Sequence, residues 1–145
     1  MSMNTNGKER EVLTNIMYTT LYTEDQDRAL KFYTEGLGLE KRVDFSGPEG
    51  RFLTVGVSDS PVEIILWSGD ADVRHPPGAP EPGTVPGPVI LESHDLRSDV
   101  EIFRGRGLTF EEPEPADYAF GVRITAIDPD GNRISLREQR RRGNS

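Results

Sequence analysis

Glu92 and Tyr18 are the side chains of this chain best suited to acid–base work. Catalysis without a metal needs a positioned proton donor or acceptor. Partial burial of the Glu92 carboxyl would raise its pKa toward neutrality. The Tyr18 phenol is suited to donating a proton or orienting a substrate carbonyl. Other chemistries lack their residues. The chain has no cysteine, which excludes thiol catalysis, disulfides and zinc–thiolate sites. Of its two histidines, His75 lies in a proline-rich run and His94 stands beside Asp95, where a cap contact or solvent exposure is the ordinary role. No Ser-His-Asp set, phosphate-cradling glycine loop or nucleotide signature is present.

These residues sit in elements that occur twice. Tyr18-Thr19-Thr20-Leu21-Tyr22-Thr23 predicts a strand, Asp25 a helix N-cap, and Leu30, Phe32 and Tyr33 a short helix stopped by Gly36 and Gly38. In the second half Val89-Ile90-Leu91-Glu92-Ser93 predicts the strand and Asp95 the cap. Leu96, Val100 and Phe103 recur at helical spacing, and Gly105 and Gly107 stop that helix. Residues 124–136 read as two strands joined at Asp128-Pro129-Asp130-Gly131-Asn132, a proline–glycine turn. A weaker copy joins Val55-Gly56-Val57 to Val62-Glu63-Ile64-Ile65-Leu66 through Ser58-Asp59-Ser60-Pro61. Each half therefore reads strand, helix, three strands. One sheet face of such a unit is covered by its helix, and the other needs a second cover.

This order, with Phe32-Tyr33-Thr34-Glu35-Gly36-Leu37-Gly38 in one half and Asp128-Pro129-Asp130-Gly131-Asn132 in the other, resembles the vicinal oxygen chelate superfamily of glyoxalases, bleomycin-resistance proteins and extradiol dioxygenases. The resemblance implies an α+β fold of two βαβββ half-units, their concave mixed sheet enclosing a cavity. It also implies a homodimer, since such half-units commonly pair across two chains. The expected organisation is a flexible tail over 1–13, one domain over 14–138 and a basic flexible tail over 139–145. Within the domain the half-units span about 14–68 and 87–138, joined by a proline-rich linker over 69–86.

Metal-dependent members of the superfamily carry a His or Glu ligand on the first and last strand of each half-unit. Those places fall here at Tyr18, Ile65, Pro88 and Ser135. The repeat supports the registration, since 18 to 88 and 65 to 135 are the same spacing. Ile65 and Pro88 have no side-chain donor, and Tyr18 and Ser135 are poor ligands for a divalent cation. Glu63 and Glu92 share a strand face with the vacancies at Ile65 and Pro88, and two carboxylates alone would make at best a weak, hydrated Mg²⁺ or Mn²⁺ site. No metal and no cofactor is expected.

Strand alternation sorts the side chains further. Val62, Ile64, Leu66, Val89, Leu91, Ile134 and Leu136 form a purely apolar set suited to the helix-covered face. The opposite set is mixed and lines the expected cavity: Tyr18, Thr20, Tyr22, Glu63, Ile65 and Trp67 from the first half, Ile90, Glu92 and Ser135 from the second. Phe120, with Tyr118 in the loop before the strand at 121–127, is suited to a lid, and Arg123 to meeting an anion or carbonyl. Aromatic walls with a few polar groups suit a planar or amphipathic organic ligand.

Composition narrows the partners. A net charge of −8 argues against nucleic acid. No apolar run is long enough to span a membrane and no signal-peptide pattern opens the chain, so a cytoplasmic location is expected. The leading expectation is a metal-independent protein that sequesters or carries an aromatic, natural-product-like ligand, as the bleomycin-resistance branch does in antibiotic resistance. The alternative is an enzyme of the same fold: a metal-independent isomerase, cyclase or epimerase using Glu92 or Tyr18, or a lyase or dioxygenase with a displaced metal.

Overall fold

The computed structural model describes residues 12–70, 78 and 87–140. Residues 1–11 of the expected tail over 1–13, His75 with most of the proline-rich linker, and residues 141–145 lie outside the described residues.

The first half-unit runs β1 (Tyr18–Thr23), α1 (Gln26–Lys31) with a π-helical turn (Phe32–Gly36), β2 (Glu40–Gly47), β3 (Gly50–Gly56) and β4 (Glu63–Ser68). The second runs β5 (Val89–Glu92), α2 (Leu96–Gly105), β6 (Thr109–Phe110), β7 (Ala116–Tyr118), β8 (Gly121–Ile127) and β9 (Arg133–Gln139). Strand order is β1-β4-β3-β2 in one sheet and β5-β9-β8-β6 in the other, with β7 paired to β8. The first strand of each unit lies parallel to the last. The repeat breaks at the second strand. The long β2 corresponds to the short β6, and β7 takes the remaining edge of β8.

Both helices start through the same local device. Asp25 accepts from the Arg28 amide at 3.0 Å and Asp95 from the Ser98 amide at 3.3 Å, each supplying an acceptor to a first-turn donor that has no helical partner. Two residues earlier Thr23 and Ser93 accept, through their hydroxyls, the amides of those aspartates, both at 3.0 Å. Gly38 and Gly107, at φ +85° and +89°, let the chain turn away after each helix.

The apolar strand set faces inward as expected. Leu21, Ile64 and Leu66 of one sheet and Val89, Ile134 and Leu136 of the other are buried in a single core with Tyr33, Leu37, Leu96 and Val100 from the helical segments. The helix-covered faces of both sheets thus feed one core, and their other faces turn away from it. Within one chain these outward faces stay open. The sheets are not joined, and β1 and β5 are edge strands. The physical reason is that each sheet has only one helix-covered face, and the chain spends both on this core.

The seam between the units is polar and buried. The Tyr33 hydroxyl donates to Asp128 Oδ2 at 2.7 Å, and the Asn132 side-chain amide donates to the same oxygen at 2.9 Å. Asp128 Oδ1 accepts the amides of Asp130 and Asn132 at 2.9 and 2.8 Å. Asp130 accepts from the Glu24 amide and the Arg28 guanidinium, and Asn132 donates to the Tyr22 carbonyl. Gly131, at φ +84°, closes the turn that gathers these groups.

Tyr33→Phe leaves the buried Asp128 carboxylate short of a donor, and urea unfolding is expected to show a loss of about 1–3 kcal/mol. Burial first, then the Asp128 charge and hydrogen bond, push the Tyr33 hydroxyl far above its ordinary ionisation range. Unfolded, the same phenol ionises near pH 10, so this contribution is intact below about pH 10 and falls as pH rises beyond it. The alkaline loss of stability is expected to be shallower in Tyr33→Phe than in the parent protein. Equal slopes would show that Tyr33 titrates alike in both states.

Candidate functional site

On the outward face of the first sheet, cross-strand register builds rows. Thr20 lies beside Ile65, and Ile65 beside Thr54. Tyr22 lies beside Trp67, and the same register carried onward brings Phe52, with Phe45 beyond it. The Tyr18 ring meets Phe52 edge to face, with centroids 5.7 Å apart. Glu63, the β4 neighbour of Tyr18, accepts the Thr54 hydroxyl at 2.8 Å. This face is aromatic and open: Tyr18 is 39% and Phe45 64% exposed, while Tyr22 and Trp67 are half-buried.

The second sheet repeats the rows with different chemistry. Ile90, Ser135 and Thr125 form one, and Glu92, Arg137 and Arg123 the next. Tyr22 and Trp67 are thus replaced by Glu92 and Arg137 at the same 70-residue offset as 18 to 88. Ser135 is buried under this face. Glu92 is exposed in the single chain. Tyr118 belongs to β7 and not to a loop, because β8 has a free edge there. The guanidinium carbons of Arg123 and Arg137 lie 5.1 and 5.3 Å from its ring centroid. Phe120, 66% exposed in the following turn, packs edge to face on Tyr118. Arg133, on the same face, is held by both oxygens of Glu111. That hydrogen bonding keeps the Glu111 carboxyl below its ordinary range. Glu112 accepts the amide and hydroxyl of Thr125.

The structure therefore brings the expected residues together in two groups. Tyr18, Thr20, Tyr22, Glu63, Ile65 and Trp67 share one sheet face; Ile90, Glu92, Arg123 and Ser135 share the other, with Phe120 at its rim. Phe45, Phe52, Thr54, Thr125 and Arg137 join them without having been singled out. Parity from Ser135 points to Arg137 directly. Phe45 and Phe52 needed the pairing of β2 with β3, which the sequence pattern does not specify.

The four places where the sequence comparison expects metal ligands hold a phenol, an isoleucine, a proline and a buried hydroxyl. This donor set does not fit a divalent cation. Glu63 and Glu92 stand on separate sheets. Among the described residues, no three His, Asp or Glu side chains are grouped as a metal site.

A groove of about 510 Å³ lies between the units beside β1 and β5, lined by Thr19, Val57 and Val62 of one unit and Pro88, Ile90, Glu92 and His94 of the other. Trp67 and Arg123 do not line it. They belong to the open sheet faces. No helix of the described residues is long and apolar enough to cross a membrane.

The glyoxalase/bleomycin resistance protein/dioxygenase superfamily model matches residues 15–136. The crystal structure of UcmS2 is 35% identical, covers 87% of this chain and 98% of that one, and superposes with a TM-score of 0.71. A superfamily member from Sphaerobacter thermophilus DSM 20745 is 29% identical, with a TM-score of 0.71 over 89% of this chain and 100% of that one. TnmS3, an antibiotic-binding protein from Streptomyces sp. CB03234, shares the fold at 24% identity, with a TM-score of 0.74 over 90% and 100% of the two chains. With the repeat, the strand order and the seam in place, these matches show that the chain belongs to the glyoxalase/bleomycin resistance protein/dioxygenase superfamily.

Proposed function

We propose that this chain is a metal-independent binding protein that sequesters or carries an aromatic, natural-product-like compound in a cavity completed by a second copy. The observation that carries the reading is the aromatic row of Tyr22, Trp67 and Phe52, with Tyr18 against it, on a face its own chain leaves uncovered. Planar rings stack favourably on such side chains, and ligand sites are concave, apolar and sparsely polar. The antibiotic-binding TnmS3 lends support at the level of the fold.

One open sheet does not enclose a ligand. Val12, Leu13, Ile16 and Met17 ahead of β1 are exposed along with Ile90 and Phe120. Monomers rarely present so much apolar surface. A second copy covers it and sets the first sheet of one chain against the second sheet of the other. Light scattering at micromolar concentration is expected to give the dimer mass, and a monomer would leave the site half built.

Metal independence rests on Tyr18, Ile65, Pro88 and Ser135. Protein purified without chelator is expected to hold no stoichiometric Zn²⁺, Ni²⁺, Fe²⁺ or Mn²⁺ by elemental analysis. A tightly held stoichiometric ion would overturn that part of the reading.

Trp67 is the sole tryptophan and reports on its own face. The neutral planar probe 2-naphthamide is expected to quench its fluorescence, and Trp67→Ala to weaken probe binding by about 1–3 kcal/mol. A folded Trp67→Ala variant with parental affinity by calorimetry would move the site elsewhere.

A further inference from the structure

Arg123 and Arg137 are direct cross-strand partners. Like charges so placed repel, and a sheet normally relieves them with a carboxylate. Nearby Arg133 shows the usual solution, held by both oxygens of Glu111. Among the described residues, neither Arg123 nor Arg137 has an ion-pair partner. Glu92 is the register neighbour of Arg137, yet no ion pair forms between them. Glu112 is engaged by Thr125. Both guanidiniums instead lie over the Tyr118 ring, a weaker and non-neutralising contact.

Two buried polar atoms without a partner fall in the same cluster: Tyr118 Oη and Arg137 Nε. Arg137 Nε can only donate. Buried donors are nearly always satisfied, so two orphans gathered at one place mark a polar cluster that the chain itself leaves incomplete. The cluster lies on the outward face of the second sheet, in the row that replaces Tyr22 and Trp67 of the first. It therefore stands on the wall that faces the aromatic row once two copies pair.

We propose that Arg123, Arg137 and Tyr118 form a subsite for an ionised oxygen of the ligand, a carboxylate or phenolate carried on its ring system. This rests on the binding reading above and adds its substrate class: planar aromatic acids over neutral or cationic analogues. A planar guanidinium offers paired donors matched to carboxylate geometry, and such charge-assisted bonds are the strong ones.

The test is calorimetric titration of the full chain with 2-naphthoate and with 2-naphthamide, its neutral counterpart. The carboxylate is expected to bind at least about tenfold more tightly, with the preference shrinking as salt rises. Arg123→Gln, at an exposed position, and Arg137→Gln are expected to abolish the preference, weakening 2-naphthoate by at least about tenfold and 2-naphthamide far less. Trp67→Ala is expected to weaken both probes alike. Tyr118→Phe keeps the ring and removes only the hydroxyl, so a smaller loss for 2-naphthoate alone assigns its share. Should Arg137→Gln fail to fold, Arg123→Gln still decides the matter. Equal affinity for the two probes, or a preference that survives Arg123→Gln, would overturn the subsite and leave the cavity standing. If neither probe binds, the cavity reading falls and the subsite with it. If the arginine variants dissociate the dimer without any effect on probe preference, the cluster holds the partner subunit instead, and the proposal is wrong.

Discussion

A single buried carboxylate, Asp128, ties the two half-units together. It takes the Tyr33 hydroxyl from the first unit and three donors from its own turn. A carboxylate in an apolar interior is tolerable only when its lone pairs are met, and four donors meet them. The arrangement constrains both units. The π-helical turn after α1 must present Tyr33 inward, and the turn between β8 and β9 must curl tightly enough to aim its side chains at one point. Asp130 and Asn132 extend the grip to α1 and β1. The helix-side faces are thereby held toward a shared core, and the opposite sheet faces are left bare.

Those bare faces have the same geometry and different chemistry. Row by row, Tyr22 and Trp67 correspond to Glu92 and Arg137, while Thr20 and Ile65 correspond to Ile90 and Ser135. The inward residues do not diverge in this way: Ile64 and Leu66 match Ile134 and Leu136, all buried. Packing in one core demands similar volumes at equivalent places. Nothing in the fold makes that demand of the outward rows. Their contrast, aromatic on one sheet and charged on the other, is not dictated by packing in the core.

The repeat, both helix caps and the inward strand faces were legible in the sequence because each is a local pattern. Asp25 and Asp95 precede short helical periodicities, Ile134-Leu136 alternate with polar residues, and Ile64-Leu66 with the mixed set Glu63, Ile65 and Trp67. The turn at 128–132 was legible as a turn but not as the seam, because its partners Tyr33, Arg28 and Tyr22 lie about a hundred positions away in the chain. Tyr118 read as loop because β7 is short and survives only by pairing to β8. Phe45 and Phe52 escaped for the same reason: their neighbours are set by β2–β3 register, which depends on the turn at 47–50 more than on any hydrophobic alternation. Glu92 was placed on the right face, but exposure depends on what covers that face, and a strand pattern carries no such information.

The open faces also bear on how a site must be assembled. A twofold axis relates identical surfaces, so the simplest dimer would set like against like. Aromatic face on aromatic face would bury apolar area but leave Arg123 and Arg137 of the two chains confronting one another, which is costly without counter-charge. Crossing the halves, first sheet against partner second sheet, avoids that repulsion and still obeys the twofold, since it creates two equivalent cavities. Each cavity then has one wall that stacks and one wall that donates hydrogen bonds. In the proposed dimer the divergence of the outward rows would make the crossed arrangement electrostatically preferable, and it would give each cavity a direction, with the flat of a ring system on the Trp67 side and its polar edge on the Arg137 side.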